Sequence, residues 1–495
     1  MDLRRFIPFF DSSVQSWAIE ARLLRWLTFI WLFIGLAVLF SASYPTGIAE
    51  SGDGLYYFKR QLLWTGVGLA GFHLLVHTPL RRILAVSGPV FLALLTLIFA
   101  TQIPGLGTTV NGATRWLYLG PLPIQPSELI KPFLILQSAQ VFSQWERLPW
   151  KVRITWLAIF AAMLLGILLQ PNLSTTALCG ITLWLIALAA GLSYFYLGGA
   201  AIGGFLLAVA SVSLKDYQRR RVMSFLNPWA DPAQDGYQLI QSLLAAGSGG
   251  ILGTGFGLSQ QKLSYLPFPQ TDFIFAVFAE EFGLIGSLLL LLLLAIYGIL
   301  ALQVALKTEM PVYRLVAIGS MVLMIGQSLL HIGVTLGALP TTGLPFPLFS
   351  FGGNSMIASL LIAGLLIRVA RESNEAEVIP LNQSQQPTLR SQFAAKRTTR
   401  SSVLSTSNSL SSDKATSVRL NDLPSHFSVP NPKATRRLPA PRPSVAQTDR
   451  KTLAKDGATH LRQPEMAKGR RPTAREGLRS LFNRRKFRHR SPRVR

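Results

Sequence analysis

Long apolar segments constrain this chain more than any other feature of its sequence. A helix that crosses the roughly 30 Å hydrocarbon core of a bilayer needs about 20 mainly apolar residues, because each residue adds about 1.5 Å. Unpaired backbone groups are costly in lipid and the segments lack strand-like alternation, so each is expected to be a helix. Ten such segments occur, at residues 25–43, 61–77, 82–101, 125–143, 151–169, 174–192, 193–213, 272–302, 311–333 and 354–370. The sequence therefore predicts an all-α polytopic membrane protein with about ten transmembrane helices.

Composition indicates an apolar body with a basic polar extension. Apolar residues make up 49% of the chain and charged residues 14%, against about 25% charged residues in soluble domains. About +18 of the formal net charge of +25 lies in residues 371–495, which are rich in Ser, Thr, Pro, Gln and Arg. This segment is predicted to be a disordered tail. We expect it either to lie against anionic inner-leaflet lipid or to bind an acidic cytoplasmic division protein, and nucleic acid is not needed to explain its charge.

The positions of lysine and arginine near the apolar segments predict the topology. More of them lie on the side that also holds the N-terminus, which favours two cytoplasmic termini. The predicted organisation is a cytoplasmic segment at 1–24, a membrane domain at 25–370 and the tail at 371–495. Three outer segments are long and polar enough to hold a site, and they lie at about 102–124, 214–271 and 334–353. The largest, 214–271, joins the seventh and eighth predicted helices.

Several carboxylates lie in or beside the apolar segments, where a charge requires a partner or a function. Asp272 or the neighbouring Thr271 is predicted to cap the N-terminus of a helix. Asp272 is also predicted to act as a general base at the outer membrane rim, where desolvation raises its pKa, and the two interpretations are compatible. Glu280 and Glu281 lie about 12–13 Å further along the helix. They are expected to form structural polar pairs between helices, with Gln327 and His331 as candidate partners.

Cations accompany the carboxylates on the predicted outer face. Glu128 and Lys131, three residues apart, are expected to form an ion pair or to contact a proton or substrate. Arg115 is interpreted as an interfacial anchor beside aromatic residues or as a phosphate ligand, and Arg219–Arg221 form a second cationic cluster. Carboxylates and arginines beside lipid suit a substrate with a phosphate headgroup and a long apolar tail. The single cysteine, Cys179, excludes a disulfide framework, and no nucleotide-binding motif occurs.

Six ordered motifs resemble those of the SEDS family of peptidoglycan glycosyltransferases. The motifs lie at Asn111–Lys131 (NGATRWLYLGPLPIQPSELIK), Gln170–Ser174, Phe225–Pro232, Thr271–Gly286 (TDFIFAVFAEEFGLIG), Leu339–Gly343 and Phe349–Ser355. The segment Ser259–Leu263 is more similar to the cell-division members of the family than to its other branch. The chain departs from the family pattern at Phe268, Gln270 and Asn172, where the family commonly has glutamate, histidine and aspartate.

The resemblance implies a polymerase that joins lipid II into glycan strands at the outer face of the cytoplasmic membrane. It implies cell-division synthesis at the septum, a class B penicillin-binding transpeptidase as partner and other division proteins beside it. The family's catalytic aspartate falls on Asp272, and its motif acid falls on Glu128. The predicted substrate-binding residues are Arg115, Gln125, Ser127, Glu128, Lys131, Arg219, Arg220 and Lys262.

The expected reaction is inverting glycosyl transfer with Asp272 as general base. Arginines such as Arg115 or Arg220, together with a divalent cation (Mg²⁺ or Mn²⁺) whose ligands are unknown, are expected to meet the charge of the leaving diphosphate. The main alternative is a lipid II flippase, in which the intramembrane charges form a polar path. A structural scaffold without enzymatic activity is a third interpretation.

Overall fold

A computed structural model describes residue 14 and residues 17–110, 113–120 and 122–375. The predicted tail beyond residue 375 and most of the predicted N-terminal segment lie outside the described residues. Thirteen helices and three strands make up the described fold. The helices before the largest outer segment are α1 Ile19–Ser51, α2 Tyr56–His77, α3 Leu80–Ala100, α4 Pro126–Ser143, α5 Trp150–Leu169, α6 Leu173–Ala189 and α7 Tyr194–Leu214.

The largest outer segment contains two short helices, and three further helical regions follow it. The short helices are α8 Asp216–Leu226 and α9 Tyr237–Ser248, with single 3-10 turns at Pro228–Ala230 and, earlier in the chain, at Trp145–Arg147. The remaining helices are α10 Ile274–Lys307, α11 Pro311–Met321, α12 Gln327–Thr335 and α13 Gly353–Glu375. A five-residue π-helical stretch, Val322–Gly326, joins α11 to α12.

Each of the ten predicted apolar segments coincides with a helix or, at 311–333, with the joined α11 and α12. Within the described residues, seven helices are long and apolar enough to cross a membrane. The mainly helical membrane fold is thus confirmed, and the number of ten spans and the orientation of the termini stay predictions. Two predicted boundaries move, because α1 already begins at Ile19 and α13 continues to Glu375. The sequence boundaries were placed at charged residues, yet Arg368 and Arg371 both donate to the carbonyl oxygen of Val76 and hold the last turns of α13 on the body.

A small antiparallel sheet forms in the first outer segment. Its strands are β1 Gly107–Val110, β2 Ala113–Leu119 and β3 Leu122–Ile124, in the order β1-β2-β3. Thr108 pairs with Trp116, and Leu117 pairs with Ile124. The sequence predicted an outer segment able to hold a site here, but it did not predict strands. The sheet places Arg115 in its central strand, which fixes where that side chain can reach.

The core is built around α4 and α13, whose side chains are buried along most of their lengths. Helix α13 lies closely against α2, since a Cβ added at Gly68 would lie 2.5 Å from the Leu360 side chain. By contrast, α7 exposes most of its apolar side chains, including Phe205 and Leu206. For a helix in a bilayer, such a face is suited to contact with lipid chains.

Helix α10 is not continuous, although sequence analysis treated it as one helix. Gly283 has φ 64° and ψ −162°, which breaks the helix two residues after Glu281. The loop before it completes the backbone bonding: Thr254 N donates to Glu280 O at 2.9 Å, and Leu284 N donates to Gly250 O at 3.0 Å. A Cβ at residue 283 would lie 2.3 Å from the backbone nitrogen of Gly253. Irregular backbone is tolerated at membrane depth when protein satisfies its polar groups, which is the case here.

Candidate functional site

Asp272 lies in the turn before α10 and faces a cavity of about 900 Å³. Its side chain is half-buried, so it is reachable from the cavity. The interpretation as a helix cap is wrong, because α10 has Phe273 at its N-cap and no side-chain cap hydrogen bond. The carboxylate therefore has another role than closing the first turn of α10.

All three outer segments predicted to hold a site contribute to this cavity. The first supplies Arg115 and Trp116 from β2, and the start of α4 adds Gln125. The second supplies Tyr217 and Arg221 from α8, and the third supplies Gly343 and Pro345. Residues distant in sequence thus line one space beside Asp272.

Arg115 is held in a fixed direction by the chain between α5 and α6. Its Nε donates to Gln170 O at 2.9 Å, and its Nη2 donates to Pro171 O. Burial lowers the pKa of Arg115 below its usual value, while Tyr217 and Asp272 oppose that shift. Arginine remains charged under such conditions, because its ordinary pKa lies above 12. A positive charge therefore lies at this wall of the cavity.

Arg221 supplies a second fixed positive charge. Its guanidinium lies 4.6 Å from the centre of the Tyr217 ring, one helical turn earlier in α8, and its Nη1 donates to Thr341 O at 3.3 Å. Cation–π contact and the carbonyl acceptor both restrict its rotation. Sequence analysis named Arg219 and Arg220 as ligands, but those two side chains are exposed and lie outside the cavity lining.

The environment of Asp272 makes it a weaker acid than an ordinary aspartate. Burial raises the pKa of Asp272 to about 6, and Arg221 and then Arg115 act in the opposite direction. A carboxylate with this pKa is ionised at neutral pH yet is a better proton acceptor than one in water. The site thus combines a base with two guanidinium groups that can bind phosphate oxygens.

Glu128 and Lys131 form the predicted ion pair, but outside the cavity lining. Lys131 Nζ lies 2.7 Å from Glu128 Oε1, and both side chains are almost fully buried. The same ammonium donates to Gln327 Oε1 at 3.2 Å, and Gln327 Nε2 donates to the carbonyl of Pro345, a cavity residue, at 2.6 Å. The pair therefore supports the cavity wall from behind. Ser127 is also buried beside this region, and its binding role stays a prediction.

Lys262, Glu280 and Glu281 form a buried carboxylate cluster with Ser41 and Ser259. Lys262 Nζ lies 2.6 Å from Glu281 Oε1, which also accepts from Ser41 Oγ at 2.5 Å. Glu280 accepts from Ser259 Oγ at 2.5 Å and from the backbone nitrogen of Gln260 at 2.9 Å.

The partners proposed for the two glutamates from sequence were wrong. Gln327 bonds to Lys131 and Pro345, and His331 contacts the carbonyl of Leu344. The break at Gly283 brings the preceding loop onto Glu280 and Glu281 instead, which a continuous helix would not do. Lys262 is not in the cavity lining, so its predicted contact with substrate stays a prediction.

Sequence reasoning missed Tyr217, and it named Arg221 in the cationic cluster Arg219–Arg221 but not among the predicted substrate-binding residues. A signal existed, because their spacing of four places them on one face of a helix. It was overlooked since residues 214–271 were treated as a loop, whereas 216–226 form α8. Lys215, Asp216 and Asn354 also line the cavity. Asn354 lies in the motif Phe349–Ser355 but was not predicted as a site residue, and Lys215 and Asp216 lie in none of the six motifs.

The described part of the chain contains no group of three His, Cys, Asp or Glu side chains arranged to hold a metal ion. Those residues therefore do not fit a resident metal site. The predicted divalent cation stays a prediction.

Comparison with known proteins gives concordant matches. Residues 21–375 match the family described as "Cell cycle protein", that of FtsW, RodA and SpoVE. The chain is 55% identical over 385 residues to the "Probable peptidoglycan glycosyltransferase FtsW" of Synechocystis sp., covering 78% of this chain and 98% of that protein. It is 36% identical to the "Stage V sporulation protein E" of Bacillus subtilis, covering 70% and 96% of the two chains.

Two solved structures share the fold. One, described as "Structural coordination of polymerization and crosslinking by a peptidoglycan synthase complex", has a TM-score of 0.57 and 29% identity, covering 72% of this chain and 98% of that one. The crystal structure of the rod shape determining protein RodA of Thermus thermophilus has a TM-score of 0.53 and 27% identity, covering 72% and 97%.

Proposed function

This chain belongs to the cell cycle protein family of FtsW, RodA and SpoVE, and we propose that the cavity beside Asp272 is where it joins peptidoglycan sugars. The family resemblance of the sequence motifs is confirmed. The chain is a peptidoglycan glycosyltransferase that polymerises glycan during cell wall synthesis. Its substrate, its site residues and its location in the cell are the subject of the proposal.

One observation carries the assignment of the site. Two carboxylates line the cavity, and of these Asp216 is exposed, whereas Asp272 is half-buried and lies within the field of the fixed guanidinium groups of Arg115 and Arg221. A glycosyl transfer to a sugar hydroxyl needs a base at the acceptor and positive charge at a leaving diphosphate. The cavity offers both types of group and belongs to a chain with long apolar helices. It therefore suits a lipid-linked sugar diphosphate such as lipid II.

The proposed step is an inverting displacement. Asp272 takes the proton of the acceptor 4-hydroxyl, and that oxygen forms a bond to the anomeric carbon of the polyprenyl-linked glycan. The bond from this carbon to the diphosphate oxygen breaks, and the diphosphate leaves with the electron pair. Arg115 and Arg221 stabilise the negative charge that develops there. Asp272 then releases its proton to solvent, which a pKa of about 6 permits at neutral pH.

The cellular setting is proposed from the relatives. We place the cavity at the outer face of the cytoplasmic membrane, with both termini cytoplasmic, and the enzyme at the division septum, because the relatives include proteins named FtsW. A solved relative is described as a complex that coordinates polymerization and crosslinking. This supports a penicillin-binding transpeptidase as the partner.

A flippase is not favoured, because the intramembrane charges that would form its polar path are already engaged. Glu128 pairs with Lys131, Glu281 pairs with Lys262, and Glu280 accepts hydrogen bonds from Ser259 and backbone nitrogens. Carboxylates that are paired or hydrogen-bonded in this way are suited to support the fold, although Glu281 Oε2 has no partner within the described residues.

The predicted Mg²⁺ or Mn²⁺ is proposed to arrive with the diphosphate, since the described residues do not fit a resident metal site. Activity should then fall on chelation and return with added cation, whereas an enzyme that needs no cation would keep its rate. The purified protein with its transpeptidase partner and lipid II provides the measurement.

The decisive experiment compares Asp272→Asn with Asp235→Asn, a matched change at an exposed aspartate in the same outer segment. Purified with the transpeptidase partner and given lipid II in detergent, the Asp272→Asn protein should lose about 10²–10⁴-fold in rate of glycan-strand formation. The Asp235→Asn protein should polymerise normally. Long strands from folded Asp272→Asn protein would refute the assignment.

A further inference from the structure

The position of the Asp272 carboxylate depends on the backbone that carries it. Within the described residues, no hydrogen bond is made to this carboxylate, and Arg221 and Arg115 act on it through space. The two peptide groups just before it are held firmly. Phe351 N donates to Gln270 O at 2.8 Å, and Ser350 Oγ donates to Thr271 O at 2.7 Å.

Ser350 is itself fixed from two directions. Its side chain is buried, and its hydroxyl also accepts from the backbone nitrogen of Phe346 at 2.9 Å. The fully buried Gln61 of α2 then clamps the same loop: its Nε2 donates to Ser350 O at 3.3 Å, and its Oε1 accepts from Gly352 N at 3.1 Å. A polar chain thus runs from α2, through the loop before α13, to the carbonyl that precedes Asp272.

We propose that Gln61 and Ser350 are positioning residues for Asp272, holding the Thr271–Asp272 peptide so that the carboxylate faces the acceptor hydroxyl. This inference rests on the proposed role of Asp272 as general base. Neither Gln61 nor Ser350 lines the cavity, so neither is placed to touch substrate. Their effect must pass through the backbone of residues 270–272.

A change in these contacts should reduce turnover more than binding. A displacement of about 1 Å in a reacting group can cost up to about 10²-fold in rate. We expect Ser350→Ala and Gln61→Leu each to lower kcat for lipid II polymerisation about tenfold. KM should change less than about twofold, because Arg115 and Arg221 are held by the carbonyls of Gln170, Pro171 and Thr341, and none of these residues is hydrogen-bonded to Gln61 or Ser350 within the described residues.

Two buried residues of α4 provide matched controls. Ser138 is buried, and its hydroxyl donates only within its own helix, to Leu134 O and Ile135 O. Gln137 is buried and donates to Ser87 Oγ and Gln140 Oε1. Ser138→Ala and Gln137→Leu remove the same groups as the test variants without touching the chain to Asp272. They should retain near-normal kcat.

Conservative replacements separate positioning from general damage to the fold. Ser350→Thr keeps the donating hydroxyl and should recover most of kcat, and Ser350→Cys keeps the packing but has only a weak donor. We expect kcat to follow the order Ser, Thr, Cys, Ala at position 350. Thermal midpoints in detergent show which proteins are folded, and the Cys variant decides the order if the Ala variant is not recovered.

All variants are assayed with the transpeptidase partner and lipid II beside Asp272→Asn. Wild-type kcat for folded Ser350→Ala and Gln61→Leu, or a loss confined to KM, overturns the positioning role. An active Asp272→Asn protein overturns the proposed function instead. An inactive Asp272→Asn protein together with the graded series at position 350 supports both.

Discussion

Asp272 and the pair Glu280–Glu281 lie within nine residues of each other, yet their surroundings are opposite. Asp272 is half-buried, faces a cavity and has charged neighbours that do not form an ion pair with it. Glu281 is sealed against Lys262 and Ser41, and Glu280 is surrounded by donors from the loop 259–261. Buried carboxylates that are paired with a lysine or held by several donors connect elements of the fold, whereas a carboxylate that faces the cavity without such partners stays available to a substrate. Within one short segment, the comparison therefore distinguishes two carboxylates that stabilise the fold from one that can take part in the reaction.

The largest expected effect breaks the buried carboxylate cluster. Lys262→Met leaves Glu281 buried without its cation, and removing one partner of a buried pair costs about 3–5 kcal/mol of folding stability. The protein should unfold in detergent at a clearly lower temperature or fail to accumulate. Adding Glu281→Gln should recover part of that loss, because no uncompensated charge remains. Equal stability of Lys262→Met and wild type would contradict the structural assignment.

Substitutions in the cavity lining should lower enzymatic activity without lowering folding stability. Arg221→Gln removes a fixed donor beside the proposed leaving group and should lower kcat/KM about 10²-fold. Arg220→Gln, one residue away but exposed and outside the lining, should lose less than about threefold. Rates of lipid II polymerisation measure both. If the two variants lose the same fraction of kcat/KM, the prediction of Arg220 from the sequence is the better assignment.

A smaller expected effect tests the role of Asp272 in the cavity through the pH dependence of the rate. Proton abstraction needs ionised Asp272, so the rate should fall as pH drops through about 6. Arg221 stabilises the ionised form, and its loss in Arg221→Gln should raise the pKa of Asp272 further. The acidic limb of the pH–rate profile should then move to higher pH by a fraction of a unit, and Arg220→Gln should leave it in place. An unmoved limb in Arg221→Gln would show that another group controls it.

The smallest expected effect concerns the stability cost of the site. The pKa of Asp272 is raised above the ordinary 3.8, so its ionisation destabilises the folded state as pH rises between about 4 and 6, and the cost persists above that range. Asp272→Asn removes this cost and should raise the thermal midpoint by about 2 °C at pH 8. As pH falls through about 4 towards 3, the carboxyl becomes protonated in the unfolded state as well as in the folded state, and the difference should shrink towards zero. A lower thermal midpoint of Asp272→Asn at pH 8 would instead show that the Asp272 carboxylate stabilises the fold.

Several parts of the fold and the site could be predicted from the sequence for clear reasons. The apolar segments required helices at the observed places, and the family motifs singled out Asp272, which the structure places in the cavity lining. Its role as base stays a prediction. The spacing of Glu128 and Lys131 also correctly predicted their ion pair. Local spacing succeeds in these cases because the relevant partners lie on the same helix or within the same motif.

Predictions failed where the partner came from a distant segment. Glu280 and Glu281 were expected to bond across to α12, but the break at Gly283 presents the preceding loop to them. Arg219 and Arg220 were chosen from a run of three arginines, yet the rotation of α8 places Arg221 in the cavity. Gln61 lies in no motif, and Ser350 lies in the motif Phe349–Ser355 without any indication of its partner, since their contact joins residues 289 positions apart.

The sequence alone determined that this chain is a membrane-embedded helical protein of its family, with one aspartate where apolar helix meets polar loop. Helix formation in lipid and the order of motifs depend on residues that are close together in the chain, so the sequence is enough to predict them. Only the tertiary structure decided which charges are paired and which face the cavity. That choice depends on desolvation and hydrogen-bond geometry between distant segments, which exist only once the chain has packed.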